Sequence, residues 1–161
     1  MRKLAIIIAN TFLVLSCVHN SQKISLNDLT AIINSKLNNW HQMACKADSS
    51  FFDFIDTDGI YIGTATEEVW TKQEFVEFAM PYFRKGKAWD FKPYDRNIYF
   101  SDDMKAAWFN ERLETWMGVC RGTGVLVFKN NEWKIKQYNL SVSVPNEKIN
   151  EVILVITKEV L

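Results

Sequence analysis

The fold follows from residues 106–142, which read AAWFNERLETWMGVCRGTGVLVFKNNEWKIKQYNLSV. Apolar and polar side chains alternate along this stretch, and Gly118 and the pair Asn130-Asn131 interrupt the alternation. A period of two is typical of β-strands, and glycine and asparagine are typical of the turns between them. The pattern predicts an antiparallel meander of three long strands, at about 106–116, 119–128 and 132–142.

Helical patterns fill the chain before this meander. Ser25 begins a capping motif, and apolar residues then recur at helical spacing, which predicts a long amphipathic helix over 26–47. A short apolar run at 51–55 predicts a second, short helix, and Thr71 with Glu74 predicts the start of a third. Helices followed by a curved antiparallel sheet predict an α+β domain with its N-terminal helices packed on one face of the sheet.

Two shorter patterns complete the outline. Residues 60–64 are rich in β-forming side chains and predict a short strand before the third helix. After Pro145, the apolar residues of 149–156 fit a final amphipathic helix, although their β-branched content also allows a strand.

A series of short motifs along the chain resembles the SnoaL-like domain of the NTF2-like superfamily. The resemblance covers about residues 26–147. It is carried by Asn39-Trp40-His41, Ala47-Asp48, Ile60-Tyr61-Ile62-Gly63-Thr64, Trp70-Thr71-Lys72, Pro81-Tyr82-Phe83, Ala107-Trp108-Phe109, the run from Cys120 to Val125, and the run from Trp133 to Glu147.

The resemblance implies a conical α+β fold, an apolar pocket between the helices and the sheet, and a homodimer formed through the outer surface of the sheet. It implies no single activity, because this fold hosts isomerases, cyclases, dehydratases and transport adaptors. Many relatives carry a histidine two residues before a serine on the last long strand, where this chain has Asn139 before Ser141. An amide does not titrate near neutral pH, so proton transfer is not expected at this position.

The first residues have the pattern of a secretory leader. Arg2 and Lys3 precede an apolar stretch, 4–15, that is too short to span a bilayer. The stretch leads into Cys17 and resembles a lipobox, which predicts a lipoprotein signal peptide at 1–16, a lipidated Cys17 with a tether at 17–24, and one domain at 25–161. The alternative is an ordinary signal peptide cut nearby, with Cys17 incidental. We expect the protein to be lipid-anchored on the periplasmic side of a bacterial membrane, with the outer membrane favoured by Val18.

The composition limits the kinds of partner that we expect for this protein. Lys and Arg total 19, as do Asp and Glu, and they form no basic block, so nucleic acid is not expected as a partner. Histidine and cysteine spacing predicts no metal site, and Gly122 and Gly124 lie mid-strand rather than in a phosphate loop, so no cofactor is expected. Cys45 and Cys120 could pair in an oxidising compartment, but two buried free thiols are the preferred interpretation.

Strand alternation predicts which side chains face the interior. Ala107, Phe109, Glu111 and Leu113 share one face of their strand, and Arg121 shares a face with apolar residues of the next strand. Glu111 and Arg121 are therefore both expected to enter the cavity. The alternatives are a structural ion pair, or a register in which one of the two faces solvent.

Aromatic and polar side chains from several elements form the predicted ligand site. The same aromatic residues could instead be ordinary core. The candidate ligand-binding residues are Trp70, Phe78, Tyr82, Phe109, Arg121, Trp133, Gln137 and Asn139.

Three hypotheses for function follow. The first is a membrane-anchored binding module for a small, mostly apolar ligand, oriented by Glu111, Arg121 and Asn139. The second is an enzyme of the isomerase, cyclase or dehydratase type, in which Glu111 or His41 is the general base and Arg121 or Tyr82 stabilises an oxyanion. The third is a structural module that acts through its dimer face.

Overall fold

The computed structural model describes residues 24–157, so the predicted signal peptide, Cys17 and most of the tether lie outside the described residues. The elements in chain order are α1 (Leu26–Cys45), a 3-10 helix (Ser49–Phe54), β1 (Ile55–Ile62), β2 (Val69–Thr71), α2 (Lys72–Arg84), β3 (Lys92–Phe100), β4 (Ala106–Thr115), β5 (Gly118–Lys129), β6 (Glu132–Val142), a second 3-10 helix (Asn146–Lys148) and α3 (Ile149–Thr157). No helix among these is both long and apolar enough to cross a membrane.

The strands form one curved, unclosed sheet in the order β2-β1-β6-β5-β4-β3. Strands β4 to β6 are the predicted antiparallel meander, β3 extends it by one strand, and the α+β class with N-terminal helices on the sheet is confirmed. The sheet differs from the prediction at one pair, because β1 lies parallel to β6. The meander brings its last strand back beside the first strand of the domain, where the two run in the same direction.

Local capping explains where the helices begin. The Ser25 hydroxyl accepts a hydrogen bond from the backbone N–H of Asp28 at 3.1 Å, and α1 then buries one apolar face. At α2, the backbone N–H of Thr71 donates to the Glu74 carboxylate at 2.8 Å, which completes the predicted capping box. These caps fix the two helices that cover the sheet.

A strand absent from the sequence prediction, β3, runs through residues 93–95, whose proline and aspartate are typical of a turn. Asp95 has a φ of +48°, and the pairing with β4 shifts between Tyr94 and Asn97. This turn signal inside a strand concealed β3. The final segment is a helix, α3, as predicted, and it buries none of its residues.

The inner face of β5 is not the predicted one. Cys120, Gly122, Gly124 and Leu126 point inward and are buried, while Arg121 is exposed on the outer face. The prediction that Arg121 enters the interior is wrong, because the inner row contains two glycines and so has little apolar character in the sequence. A Cβ on Gly124 would lie 2.6 Å from the Phe109 ring. Glycine is needed there because β4 fills the space.

A β-bulge reverses the orientation of β6 halfway along. Val125 pairs with Gln137 but Leu126 pairs with Ile135, which leaves Lys136 as the extra residue. Ile135 points inward before the bulge, and after it Gln137 is exposed on the outer side. The prediction that Gln137 and Asn139 line the interior is therefore wrong; Tyr138 and Leu140 are the buried residues there.

Candidate functional site

Glu111 is completely buried and has two charged or polar partners. Its Oε1 lies 2.7 Å from Nε2 of His41, and its Oε2 accepts a hydrogen bond from Nε of Arg96 at 2.7 Å. The expected inward position of Glu111 is confirmed, but its arginine partner comes from β3 rather than β5. A buried carboxylate requires such pairing, because burial without it strongly disfavours the charge.

Arg96 links this carboxylate to α1. Its Nη1 donates to the backbone carbonyl of Asn34 at 3.1 Å and to Oδ1 of Asn38 at 2.8 Å. Arginine stays protonated in proteins, so Arg96 supplies a buried positive charge beside Oε2 of Glu111.

Tyr138 adds a hydroxyl to these groups. The side chain is 1% exposed, and within residues 24–157 its Oη finds no hydrogen-bond partner. A Cβ on Gly122 would lie 2.5 Å from this Oη and 2.9 Å from Oε1 of Glu111, so both groups lie over the same glycine. Burial, followed by the nearby Glu111 charge, raises the pKa of Tyr138 well above its ordinary value, so the hydroxyl stays protonated. We call His41, Arg96, Glu111 and Tyr138 the polar cluster.

An open pocket of about 300 Å³ lies between α2, the β1–β2 hairpin and the loop before β3. Trp70 stacks on Phe78 in its wall, with ring centroids 4.6 Å apart. We call it the aromatic pocket, and its principal lining residues are Tyr61, Trp70, Phe78, Tyr82, Trp89 and Trp116. The structure thus brings together three of the predicted ligand-binding residues, Trp70, Phe78 and Tyr82.

A much smaller space, the inner cavity, lies behind this pocket. Its volume is about 10 Å³, and its lining includes His41 and Tyr138 of the polar cluster. Tyr61, Trp89 and Phe91 line both the inner cavity and the aromatic pocket. The three residues therefore form the wall between an open aromatic site and the buried polar groups.

A third space, of about 450 Å³, lies between α1 and the β5–β6 hairpin. We call it the α1 groove, and its apolar lining includes Leu29, Ile32, Trp40, Phe54, Phe128 and Trp133. Trp133, predicted as a ligand-binding residue of the cone interior, lines this groove instead. Phe109, also predicted to bind ligand, is buried core.

The remaining predicted groups lie apart from the site. Cys45 is an exposed thiol and Cys120 a buried one, so the prediction of two buried thiols is wrong for Cys45. No group of three or more potential metal ligands occurs between residues 24 and 157.

Sequence reasoning missed the residues that complete the site. Arg96 lies on the strand concealed by a turn signal, and Tyr138 lies on the wrong face unless the bulge at Lys136 is known. Trp89 and Trp116 lie outside the regular periodic segments. The only signal in the sequence was one charged residue in an otherwise apolar row on each of two neighbouring strands. It placed Glu111 correctly in the interior.

The described fold agrees with known proteins. Residues 33–145 match the family model described as a SnoaL-like domain. An NTF2-like protein of unknown function from Pseudomonas putida is 12% identical, with a TM-score of 0.60 over 73% of this chain and 89% of its own. A proposed ketosteroid isomerase from Parabacteroides distasonis is 20% identical, with a TM-score of 0.55 over 71% and 87% of the two chains.

A third similar structure, an NTF2-like protein of unknown function in nutrient uptake from Rhodospirillum rubrum, is 18% identical, with a TM-score of 0.55 over 71% of this chain and 98% of its own. No curated protein sequence matches the chain. At these identities the structural matches concern the fold alone, whereas the family model covers most of the chain. The chain belongs to the SnoaL-like domain family.

Proposed function

We propose that this domain binds a small, mostly apolar molecule with a ring system in the aromatic pocket. The observation that supports this is an open space of about 300 Å³ walled by aromatic rings, with the polar cluster behind its inner wall. This volume is at the lower end for ligand pockets, and aromatic walls with a few polar groups are typical of them. Trp70 and Phe78, which stack on each other, offer a flat aromatic surface against which a ligand ring can pack.

Tryptophan fluorescence with 2-naphthol as the probe tests the proposal. Trp70→Leu removes a wall of the pocket and is expected to weaken binding about tenfold, since a stacked aromatic contact contributes on the order of 1 kcal/mol beyond its area. Trp108→Leu, on the outer sheet face, is the control and should leave affinity unchanged. Equal loss in both variants, or no saturable binding by the unaltered protein, would refute the proposal.

The second candidate function is proton transfer by His41. The 2.7 Å contact between Nε2 of His41 and Oε1 of Glu111 favours it, because a carboxylate at Nε2 orients the ring and leaves Nδ1 as the nitrogen that would accept a proton. In this function Glu111 positions the imidazole rather than acting as the base. The probe is 2-tetralone in D₂O, whose acidic C–H protons exchange for deuterium when a base removes them. Faster exchange with the protein than with His41→Gln, measured by mass spectrometry, is the expected result; equal rates exclude the function.

We also propose that Cys17 is lipidated and holds the domain at the bacterial cell envelope. Support comes from the charged, apolar and cysteine-terminated leader of the sequence. Metabolic labelling with an alkyne fatty acid should mark the protein in the membrane fraction, and Cys17→Ala should abolish the label. Labelling that persists in Cys17→Ala would contradict the lipid anchor.

The outer sheet face is proposed as a homodimer surface. Tyr99 and Trp108 stack there with ring centroids 6.1 Å apart, and both are about half exposed, as is Val119. Sedimentation of the purified protein should show a dimer that Trp108→Glu dissociates. A monomer in the unaltered protein would contradict this surface.

A further inference from the structure

The unpaired hydroxyl of Tyr138 indicates what the ligand presents to the protein. We propose that an uncharged oxygen on the ligand's ring, a carbonyl or a hydroxyl, enters the inner cavity and accepts a hydrogen bond from Tyr138. This inference rests on the proposed function, because it places the rest of the ligand in the aromatic pocket.

An unpaired hydroxyl of Tyr138 in the interior destabilises the folded protein. Polar groups buried this deeply in proteins almost always have a hydrogen-bond partner, and one that lacks it within the chain points to a missing partner or a ligand. Tyr138 is 1% exposed and its Oη is unpaired among the described residues, although it lies over the same glycine as Oε1 of Glu111. Tyr138 also lines the inner cavity, so a residue of the cavity wall carries a hydroxyl that is left unpaired at a cost in stability.

Charge limits what can enter the inner cavity. The two Glu111 oxygens already contact His41 and Arg96, and neither Glu111 nor Arg96 lines the cavity. Apart from His41 and Tyr138, the cavity wall is aromatic or aliphatic. A ligand carboxylate or ammonium would find no free counterion there, because His41 is already in contact with Glu111, and a buried unpaired charge is strongly unfavourable. An uncharged oxygen has no such penalty.

The volume of the inner cavity limits the size of the group that can enter it. A space of about 10 Å³ is close to the lower limit for one water-sized group. It suits a single oxygen and excludes a ring. Since Tyr61, Trp89 and Phe91 line both spaces, a ring stacked in the aromatic pocket can direct its oxygen through this shared wall.

Three matched probes test the inference: naphthalene, 2-naphthol and 2-naphthoate. In the unaltered protein 2-naphthol should bind about tenfold more tightly than naphthalene, since one buried hydrogen bond contributes on the order of 1 kcal/mol. It should also bind more tightly than 2-naphthoate. Tyr138→Phe should remove the preference for 2-naphthol over naphthalene while naphthalene affinity is unchanged. The unchanged naphthalene affinity also shows that the variant is folded.

Tyr99→Phe is the matched control, because it removes a hydroxyl from the outer sheet face, away from both spaces. It should keep the preference. If 2-naphthol and naphthalene bind equally in the unaltered protein, or if Tyr61→Phe rather than Tyr138→Phe removes the preference, the inference is overturned while the pocket stands. If none of the three probes binds, the proposed function fails and the inference fails with it.

Discussion

The aromatic pocket and the α1 groove differ in what lies behind their walls. The α1 groove is the larger space, about 450 Å³ against about 300 Å³, and both are lined mostly by apolar side chains. The groove is lined by the surface charges Lys36 and Asp53 and by a surface ion pair, the 2.8 Å contact of Lys134 with Glu132. Behind the pocket lies a buried polar cluster with an unpaired hydroxyl. This difference is the reason why we propose the smaller space, rather than the larger one, as the binding site.

The polar cluster should dominate the response to substitution. Glu111→Leu leaves Arg96 as a buried, unpaired cation, and we expect it to lower the free energy of unfolding by about 3–5 kcal/mol. Glu114→Leu, on the exposed face of the same strand, should change it by less than about 0.5 kcal/mol. Urea unfolding of both variants measures the difference. Similar losses would show that the ion pair does not stabilise the interior.

Substitution of the glycine beneath the polar cluster should cause the next largest loss of stability. Gly122→Ala places a methyl group against Tyr138 and Glu111, and we expect a loss of about 1–3 kcal/mol from overpacking. The double variant with Tyr138→Phe should recover part of it, since the nearest atom to the new methyl group is then removed. Thr123→Ala, on the outer face, is the control in the same unfolding experiment. If the double variant is no more stable than Gly122→Ala, Tyr138 does not contact residue 122.

The two spaces can be compared directly with a matched pair of phenylalanines. Phe78 in the pocket is 40% exposed and Phe128 in the groove is 39% exposed, so burial does not distinguish them. Phe78→Leu should weaken 2-naphthol binding about fivefold, from the loss of one aromatic contact. Phe128→Leu should leave it unchanged. Titration calorimetry measures the 2-naphthol affinity of both variants. Weaker binding by Phe128→Leu than by Phe78→Leu would assign the ligand to the α1 groove.

The smallest expected effect concerns an ion pair outside both spaces. Burial opposes the charge of Asp56, but hydrogen bonds from Lys129 at 3.0 Å and from the Thr57 N–H lower its pKa overall. A carboxyl whose pKa is lowered by folding stabilises the protein above its unfolded pKa of about 4, and this is lost as the pH falls through the folded value.

Asp56→Asn should therefore remove a stabilisation below about 1 kcal/mol at neutral pH, since Lys129 is half exposed. Thermal unfolding as a function of pH measures it. The difference between the variant and the unaltered protein should narrow below pH 4. A difference that widens in acid would reverse the sign of the argument. The stabilisation by the buried pair of Glu111 and Arg96 should be far larger than that by Asp56 and Lys129.

Regular elements could be predicted from the sequence because their signals are local. The caps at Ser25 and Thr71 and the alternation over 132–142 correspond to α1, α2 and β6. Glu111 could be placed inside because one charge in an apolar row is a local pattern as well. These predictions required no knowledge of how the strands pair.

The rest of the site depends on pairing between distant segments. A single bulged residue, Lys136, exchanges the faces of Gln137 and Tyr138, and no local pattern marks it. The inner row of β5 contains glycines at Gly122 and Gly124 because Glu111, Tyr138 and Phe109 occupy that space. The sequence prediction took the more apolar face of β5 as the inner face. It was therefore the wrong face, the one that carries Arg121.

The indole N–H signals of the six tryptophans test most directly whether the aromatic pocket, rather than the α1 groove, binds the ligand. Trp70, Trp89 and Trp116 line the pocket, Trp133 lines the groove, and Trp108 lies on the outer face. In a two-dimensional NMR titration with 2-naphthol, we expect the signals of the first three to shift with one common saturation curve while those of Trp133 and Trp108 stay in place. A saturable shift of Trp133 with Trp70, Trp89 and Trp116 unmoved would contradict the account.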